Sequence, residues 1–246
     1  MSPTIEVGAP AEELPLVESG VLPDRYARQM QDELFERARP LLVPGVAVLD
    51  VGAGRYPTIA PGDRPPDCRY VGLDIESEEI DAAGPDAYDE SIVRDVTRPL
   101  DRDDEFDLVL SWQVLEHVSP LADALENLRL SLREGGTLIA QLTGSNAVFA
   151  AFGRLLPHRA KLWMATRVLG HREEEKFPTR YDRSSHRALV RLLDPWSEAE
   201  IVPFYRGATY FAFSRPLMRA YLAYESAVER RGARNLATHY LIVARR

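Results

Sequence analysis

The chain has 246 residues, 45% of them hydrophobic and 28% charged, which suits one elaborated globular domain. A formal net charge of −8 argues against a nucleic-acid-binding body, and the single cysteine, Cys68, excludes an internal disulfide and a cysteine-based zinc site. No stretch reads as a signal peptide or an uninterrupted membrane span, so the expected location is the cytoplasm.

Residues 1–22 are rich in proline and glutamate without periodicity and are expected to form a mobile N-terminal arm. The domain is expected over 23–246, with a core at 40–142, 184–205 and 239–246, and lid insertions at about 145–183 and 206–238. Asp24 reads as the N-cap of a helix over Tyr26–Arg39 that Pro40 ends. Val46–Val51 is a β-branched run, the mark of a buried parallel strand, and it leads straight into Gly52-Ala53-Gly54. Asp50, just before that turn, can hold the loop by accepting its N–H groups. A second strand over Tyr70–Ile75 carries Asp74 at its end, 20 residues after Gly54.

Beyond it, residues 76–90 predict a short irregular helix, Ser91–Val96 strand three and Phe106–Ser111 strand four. Leucines at 121, 125, 128 and 132 predict a helix over Leu121–Arg133, stopped by Gly135-Gly136, before strand five at Thr137–Leu142. Residues 145–170 read as two helices broken at Pro157. A helix capped by Ser184 or Ser185 runs to Leu193, and Ala199–Tyr205 and His239–Ala244 are the last two strands. Between those strands lies a helix from Pro216 to about Arg230 that would help cover a pocket, with Tyr221 and Tyr224 partly lining it. Alternation of strand and helix argues for an α/β, Rossmann-like sheet of seven strands with helices on both faces and helical lid insertions.

A G-x-G turn off a strand followed about 20 residues later by an acid is the arrangement that holds an adenosine: glycines admit the ligand to the main chain and the acid takes the ribose diol. The dinucleotide version is disfavoured. Its third glycine is replaced by Pro57, the segment Thr58–Pro66 is proline-rich and unsuited to a long first helix, and neither lysine, Lys161 nor Lys176, follows a tyrosine by four residues.

Four stretches in order, Val48-Leu-Asp-Val-Gly-Ala-Gly54, Val71-Gly-Leu-Asp-Ile75, Val93-Arg-Asp-Val96 and Phe106–Val118, resemble the class I S-adenosylmethionine (SAM)-dependent methyltransferases. The resemblance implies SAM as cofactor. It places Asp50, Gly52, Ala53 and Gly54 at its methionine end, Asp74 and Ile75 at its ribose, and Asp95 and Val96 at its adenine, with Ser111 at the sheet edge. For Asp74 the competing role is to cap the following helix; for Asp95 it is pairing with Arg94 or Arg98. Tyr26 or Arg28 would lie near the cofactor or simply pack.

His117 is the candidate general base, its ordinary pKa of ~6.5 suiting the task, with packing as the alternative. His158, His171, His186 and Tyr181 are further candidates. Ser111-Trp-Gln113 carries neither the metal-binding acids of catechol-type enzymes nor an Asp/Asn-Pro-Pro-aromatic motif, so no metal site and no nucleic-acid acceptor are expected. The expected reaction is methyl transfer to a small-molecule or glycolipid-like acceptor, O-methylation preferred. The alternatives are a non-methylating enzyme that binds SAM and a non-catalytic partner subunit of the same fold. From Thr143 to Arg172 the chain has no acid but carries Arg154, Arg159, Lys161, Arg167 and Arg172 among large apolar residues. This pattern suggests an anionic or lipid-linked acceptor, or peripheral contact with an anionic membrane, against the plainer reading of a lid whose arginines pair with acids elsewhere.

Overall fold

The computed structural model describes residues 21–146 and 180–246. Seven strands form one sheet: β1 (Ala47–Val51), β2 (Arg69–Asp74), β3 (Glu90–Val93), β4 (Phe106–Trp112), β5 (Leu132–Thr143), β6 (Glu198–Phe204) and β7 (His239–Arg245). Their order is β3-β2-β1-β4-β5-β7-β6, and only β7 runs against its neighbours. Alternation along each strand splits the core in two. Val48, Tyr70, Leu108, Leu110 and Ile139 face α1 (Met30–Ala38), while Leu49, Val71, Val109, Leu138 and Ile242 face α3 (Leu121–Ser131) and α4 (His186–Leu192). Both faces are covered, which is why β1 and β2 read as continuous apolar runs rather than alternating ones.

Among the described residues the predicted elements are present with shifted ends. The helix expected over Tyr26–Arg39 is divided into a 3₁₀ turn at Asp24–Tyr26 and α1, whose start is held by Asp32 accepting the Gln29 N–H at 3.0 Å, not by Asp24. The break follows from Tyr26, whose hydroxyl is drawn 2.5 Å from the Glu225 carboxylate. Leu22, assigned by sequence to the arm, is buried against Tyr26, so the ordered fold begins earlier than expected. Strand three stops at Val93 rather than Val96: the Arg94 N–H still bonds Asp74 O, but Asp95 then turns the chain by accepting both the N–H and hydroxyl of Thr97. Strand β5 begins five residues early, at Leu132, because the chain re-pairs with Phe106 across an irregularity in the β4–β5 ladder. The two helices expected over 145–170, and with them His158, His171 and most of the first lid insertion, lie outside the described residues.

Between β1 and β2 only a 3₁₀ turn, Pro61–Asp63, stands where a dinucleotide fold has its first long helix. Of the short irregular helix expected over residues 76–90, the structure has only α2 (Ser77–Asp81). Helix α5 (Arg215–Arg230) lies in the insertion between β6 and β7, one residue longer at its start than predicted. Because β6 runs parallel to β1–β5, its end at Phe204 and the start of β7 at His239 share the sheet edge where β1, β2, β4 and β5 end. The insertion therefore stands on the edge where ligands enter open α/β sheets.

Candidate active site

Asp50 is buried at the end of β1 and has both carboxylate oxygens occupied. Oδ2 accepts the Thr58 N–H at 2.6 Å and the Tyr70 hydroxyl at 2.6 Å, and Oδ1 accepts the Thr58 hydroxyl at 2.7 Å. Burial pushes this carboxyl above its ordinary pKa against the opposing pull of those donors. Its expected role, fixing the loop, is borne out in geometry: it ties the loop's far end at Thr58 to β1 and β2.

The two loop glycines do different work. At Gly52, with φ of +69°, an added Cβ would lie 2.3 Å from a Val114 methyl carbon. That missing side chain makes room for Val114, a second reason for glycine here beside the sharp turn off the strand. Gly54, with φ of +50°, is less tightly enclosed: an added Cβ would make ordinary contact at 3.5 Å from Asp74 Oδ2 and 3.6 Å from Glu79 Cβ, so it is the positive φ that calls for glycine. Ala53 lies between them in the turn.

Asp74, at the end of β2 and 8% exposed, accepts the Glu76 N–H through Oδ1 at 3.0 Å. The capping role is thus real but uses one oxygen; Oδ2, facing Gly54, accepts no bond among the described residues. Ile75 beside it and Val93 at the end of β3 are half exposed. The Asp95 carboxylate pairs with neither the Arg94 side chain, which binds Asp101, nor that of Arg98; its Oδ1 is held by Thr97 and Oδ2 accepts no bond among the described residues. Val96 is buried. Along the edge of β1, β2 and β3 the structure gathers a glycine of positive φ, two acids each with an oxygen not bonded among the described residues, and two exposed aliphatic side chains. That donor set fits SAM: hydroxyls for Asp74, an exocyclic amine for Asp95 and a ring face for the aliphatics.

Sequence reasoning missed the side chains that brace this edge. Tyr88 lies flat over Gly72, where an added Cβ would be 2.6 Å from the ring, and its hydroxyl donates to Gly54 O at 2.8 Å. Tyr70 stacks on it at 6.2 Å and 17°, and the Arg64 guanidinium lies over the Tyr70 ring, 3.8 Å from its centroid. The glycine in Val71-Gly-Leu was the available signal, since a glycine inside a buried strand marks a close approach.

Next to this edge, beyond β4 and β5, the chemistry is of another kind. Ser111 is fully buried and its hydroxyl has no hydrogen-bond partner among the described residues. His117 ends a 3₁₀ turn, Leu115–His117, and its buried Nδ1 is likewise without a partner. Glu116, which the sequence left without a role, points inward. Its Oε1 accepts the Thr143 hydroxyl at 2.8 Å and N–H at 3.2 Å, while Oε2 is buried without a partner. Burial raises its pKa above the ordinary glutamate value. Its main-chain carbonyl accepts the N–H groups of Arg180 and Tyr181, tying the returning chain to this turn. Burial also pushes His239 down to about 3, so its imidazole is neutral at physiological pH. Among the described residues no three His, Cys, Asp or Glu side chains are grouped to hold a metal ion.

Tyr26 is buried in a cluster with Phe211 and Tyr221, and Arg28 pairs with Glu33 and Glu36. Tyr221, expected to line a pocket, packs into the same cluster with its ring 4.6 Å from that of Phe211.

A family model described as "Methyltransferase domain" matches residues 24–194, well over half of the chain. No curated protein matches it in sequence. Among solved structures it is similar to Haemonchus contortus phosphoethanolamine N-methyltransferase 2, at a TM-score of 0.55 and 12% identity over 88% of this chain and 52% of that one. This chain therefore spans about half the length of that relative. It is also similar to a putative SAM-dependent methyltransferase from Listeria monocytogenes, at a TM-score of 0.54 and 14% identity over 87% and 98% of the two chains. A third likeness is to the [4+2]-cyclase SpnF, at a TM-score of 0.54 and 17% identity over 90% and 81%. With the family match, the seven-stranded order and an edge that fits the cofactor, the chain belongs to the methyltransferase-domain family of class I, SAM-dependent proteins.

Proposed function

We propose that this chain transfers a methyl group from SAM to a small-molecule acceptor that is anionic or lipid-linked, with oxygen as the preferred acceptor atom. The observation that carries the cofactor half is Asp74, a buried acid at a strand end whose Oδ2 lies beside Gly54 and accepts no bond among the described residues. Bound at this edge, SAM supplies an electrophilic methyl group on a sulfonium. Asp74 Oδ2 would accept a ribose hydroxyl, the Gly54 main chain would meet the methionine end, and Ile75 and Val93 would flank the adenine that Asp95 would orient. Ser111 and His117 stand on the acceptor side. There His117 Nδ1 takes a proton from an acceptor hydroxyl, while alignment and exclusion of water supply the rest of the rate.

The anionic character of the acceptor is supported by the acid-free, basic run from Thr143 to Arg172 that leaves β5 on this edge. The fold likeness extends to a cyclase, so methylation is decided by turnover and not by shape. The test is calorimetric titration with SAM, S-adenosylhomocysteine and NAD, followed by a screen of hydroxylated acceptors that reads S-adenosylhomocysteine release. SAM and its product should bind and NAD should not. Equal NAD binding overturns the cofactor assignment, and SAM binding with conversion of a substrate but no methyl transfer overturns the reaction.

A further inference from the structure

The insertion between β6 and β7 carries an exposed patch that the methyl-transfer reading does not use. Phe213, 47% exposed, and Leu217, 40% exposed, project from the start of α5, flanked by exposed Ala212, Pro216 and Ala220. Arg215 and Arg219 stand among them. Neither makes an ion pair among the described residues, whereas Arg25, Arg37, Arg69, Arg102 and Arg133 each hold a carboxylate. From Arg206 to Tyr224 there is no acidic residue, in a chain whose net charge is −8.

The patch is held firmly. Buried Glu225 accepts the Tyr26 hydroxyl at 2.5 Å, the Gly207 N–H at 2.6 Å and the Arg25 guanidinium at 3.1 Å, locking the insertion to the N-terminal turn. Met218 and Tyr221 on the inner side of α5 pack against Leu22 and Tyr26, leaving Phe213 and Leu217 outward.

We propose that this patch is a docking surface for an anionic lipid bilayer. Two bulky apolar side chains interleaved with two unpaired arginines have the composition of a surface that seats in the boundary between headgroups and acyl chains, the cations meeting lipid phosphates. The positive charge of the patch is complementary to anionic lipid and opposite to that of the chain as a whole. No helix among the described residues is long and apolar enough to cross a membrane, so the contact is one of surface and not of span. Because the insertion stands on the sheet edge that carries Ser111 and His117, docking turns the acceptor side of the site toward the bilayer.

The inference does not depend on methyl transfer and is tested without turnover. The full chain is floated with phosphatidylcholine vesicles, with and without an equal share of phosphatidylglycerol, at low and high salt. Binding should require the anionic lipid and fade with salt. Arg215→Glu with Arg219→Glu should weaken binding at least about tenfold, and Phe213→Ala with Leu217→Ala about tenfold. S-adenosylhomocysteine affinity and circular dichroism should stay unchanged. Soluble glycerol phosphate in excess should not compete; full competition would mean a site for a free phosphate and would overturn the bilayer assignment. Equal binding to neutral vesicles, or undiminished binding by the Arg→Glu pair, overturns it too. Should a variant fail to fold, Phe213→Cys in a Cys68→Ser chain, labelled with an environment-sensitive dye, gives a second reading: a blue shift on anionic vesicles is expected, and its absence defeats the proposal.

Discussion

Beyond β1 and β2, the buried acid Asp50 has both oxygens filled by Thr58 and Tyr70, Tyr88 is pinned to Gly54, and Arg64 covers the stack. Beyond β4 and β5, the Ser111 hydroxyl, Glu116 Oε2, His117 Nδ1, Gln141 Oε1 and the Ser184 hydroxyl are buried without partners among the described residues. One half of the edge is braced by its own side chains before anything binds. The other keeps polar groups in reserve, at the free-energy cost that unmet buried groups carry. A cofactor of constant shape suits a rigid seat, while an acceptor needs polar atoms that have not already been used.

Four substitutions break or sharpen that contrast. The largest effect is expected on the braced side, from Asp50→Ala. It leaves the Thr58 N–H, the Thr58 hydroxyl and the Tyr70 hydroxyl without their acceptor, at about 1 kcal/mol or more each. The protein should lose at least about 3 kcal/mol, read as a melting point lower by about 10 °C. A shift of only a degree or two would show that the loop is not held this way.

Asp74→Ala should act on binding rather than on the fold. Losing a charged hydrogen bond of about 1.5–3 kcal/mol weakens SAM at least about tenfold by calorimetry, with the melting point nearly unchanged. Unaltered affinity would remove Asp74 from the site.

On the reserved side, Glu116→Gln tests the buried carboxyl. Its folded pKa lies above the ordinary 4.5, so its contribution to stability is whole below that value and is lost as pH rises through the folded one. Gln keeps an acceptor for Thr143 and does not ionise. The variant should therefore gain on the parent in melting point as pH rises above the ordinary glutamate value. Parallel pH curves would mean Glu116 stays ionised without penalty.

Tyr88→Phe is the mildest change. It removes only the hydroxyl bond to Gly54 O and leaves the ring over Gly72, so SAM should weaken by about 1 kcal/mol, or roughly fivefold. No change would show that the glycine loop holds its shape without Tyr88.

Much of this was legible in the sequence because it depends on local chemistry. The continuous apolar runs of β1 and β2, the glycines and the spacing from Gly54 to Asp74 announce a buried parallel strand, a turn and an acid at a strand end, each needing only near neighbours. Even so, the meaning of Gly52 was hidden, since Val114, which fills its space, comes from a loop after another strand. Glu116 was hidden for the same reason: beside His117 it reads as surface charge, and only the pairing of β4 with β5 brings Thr143 to its carboxylate.

What the sequence by itself determined was the sheet, its two faces and the acid-and-glycine seat for an adenosine, because hydrophobic period and backbone conformational freedom are written in consecutive residues. What only the tertiary structure decided were the partners across the chain. Tyr88 reaches Gly54, Arg25 and Tyr26 meet Glu225 some 200 residues away, and an insertion whose first part, Arg206–Tyr224, lacks acids is carried to the ligand edge by the antiparallel return of β7. Such contacts depend on how the strands are ordered in the sheet, which no local pattern of residues specifies.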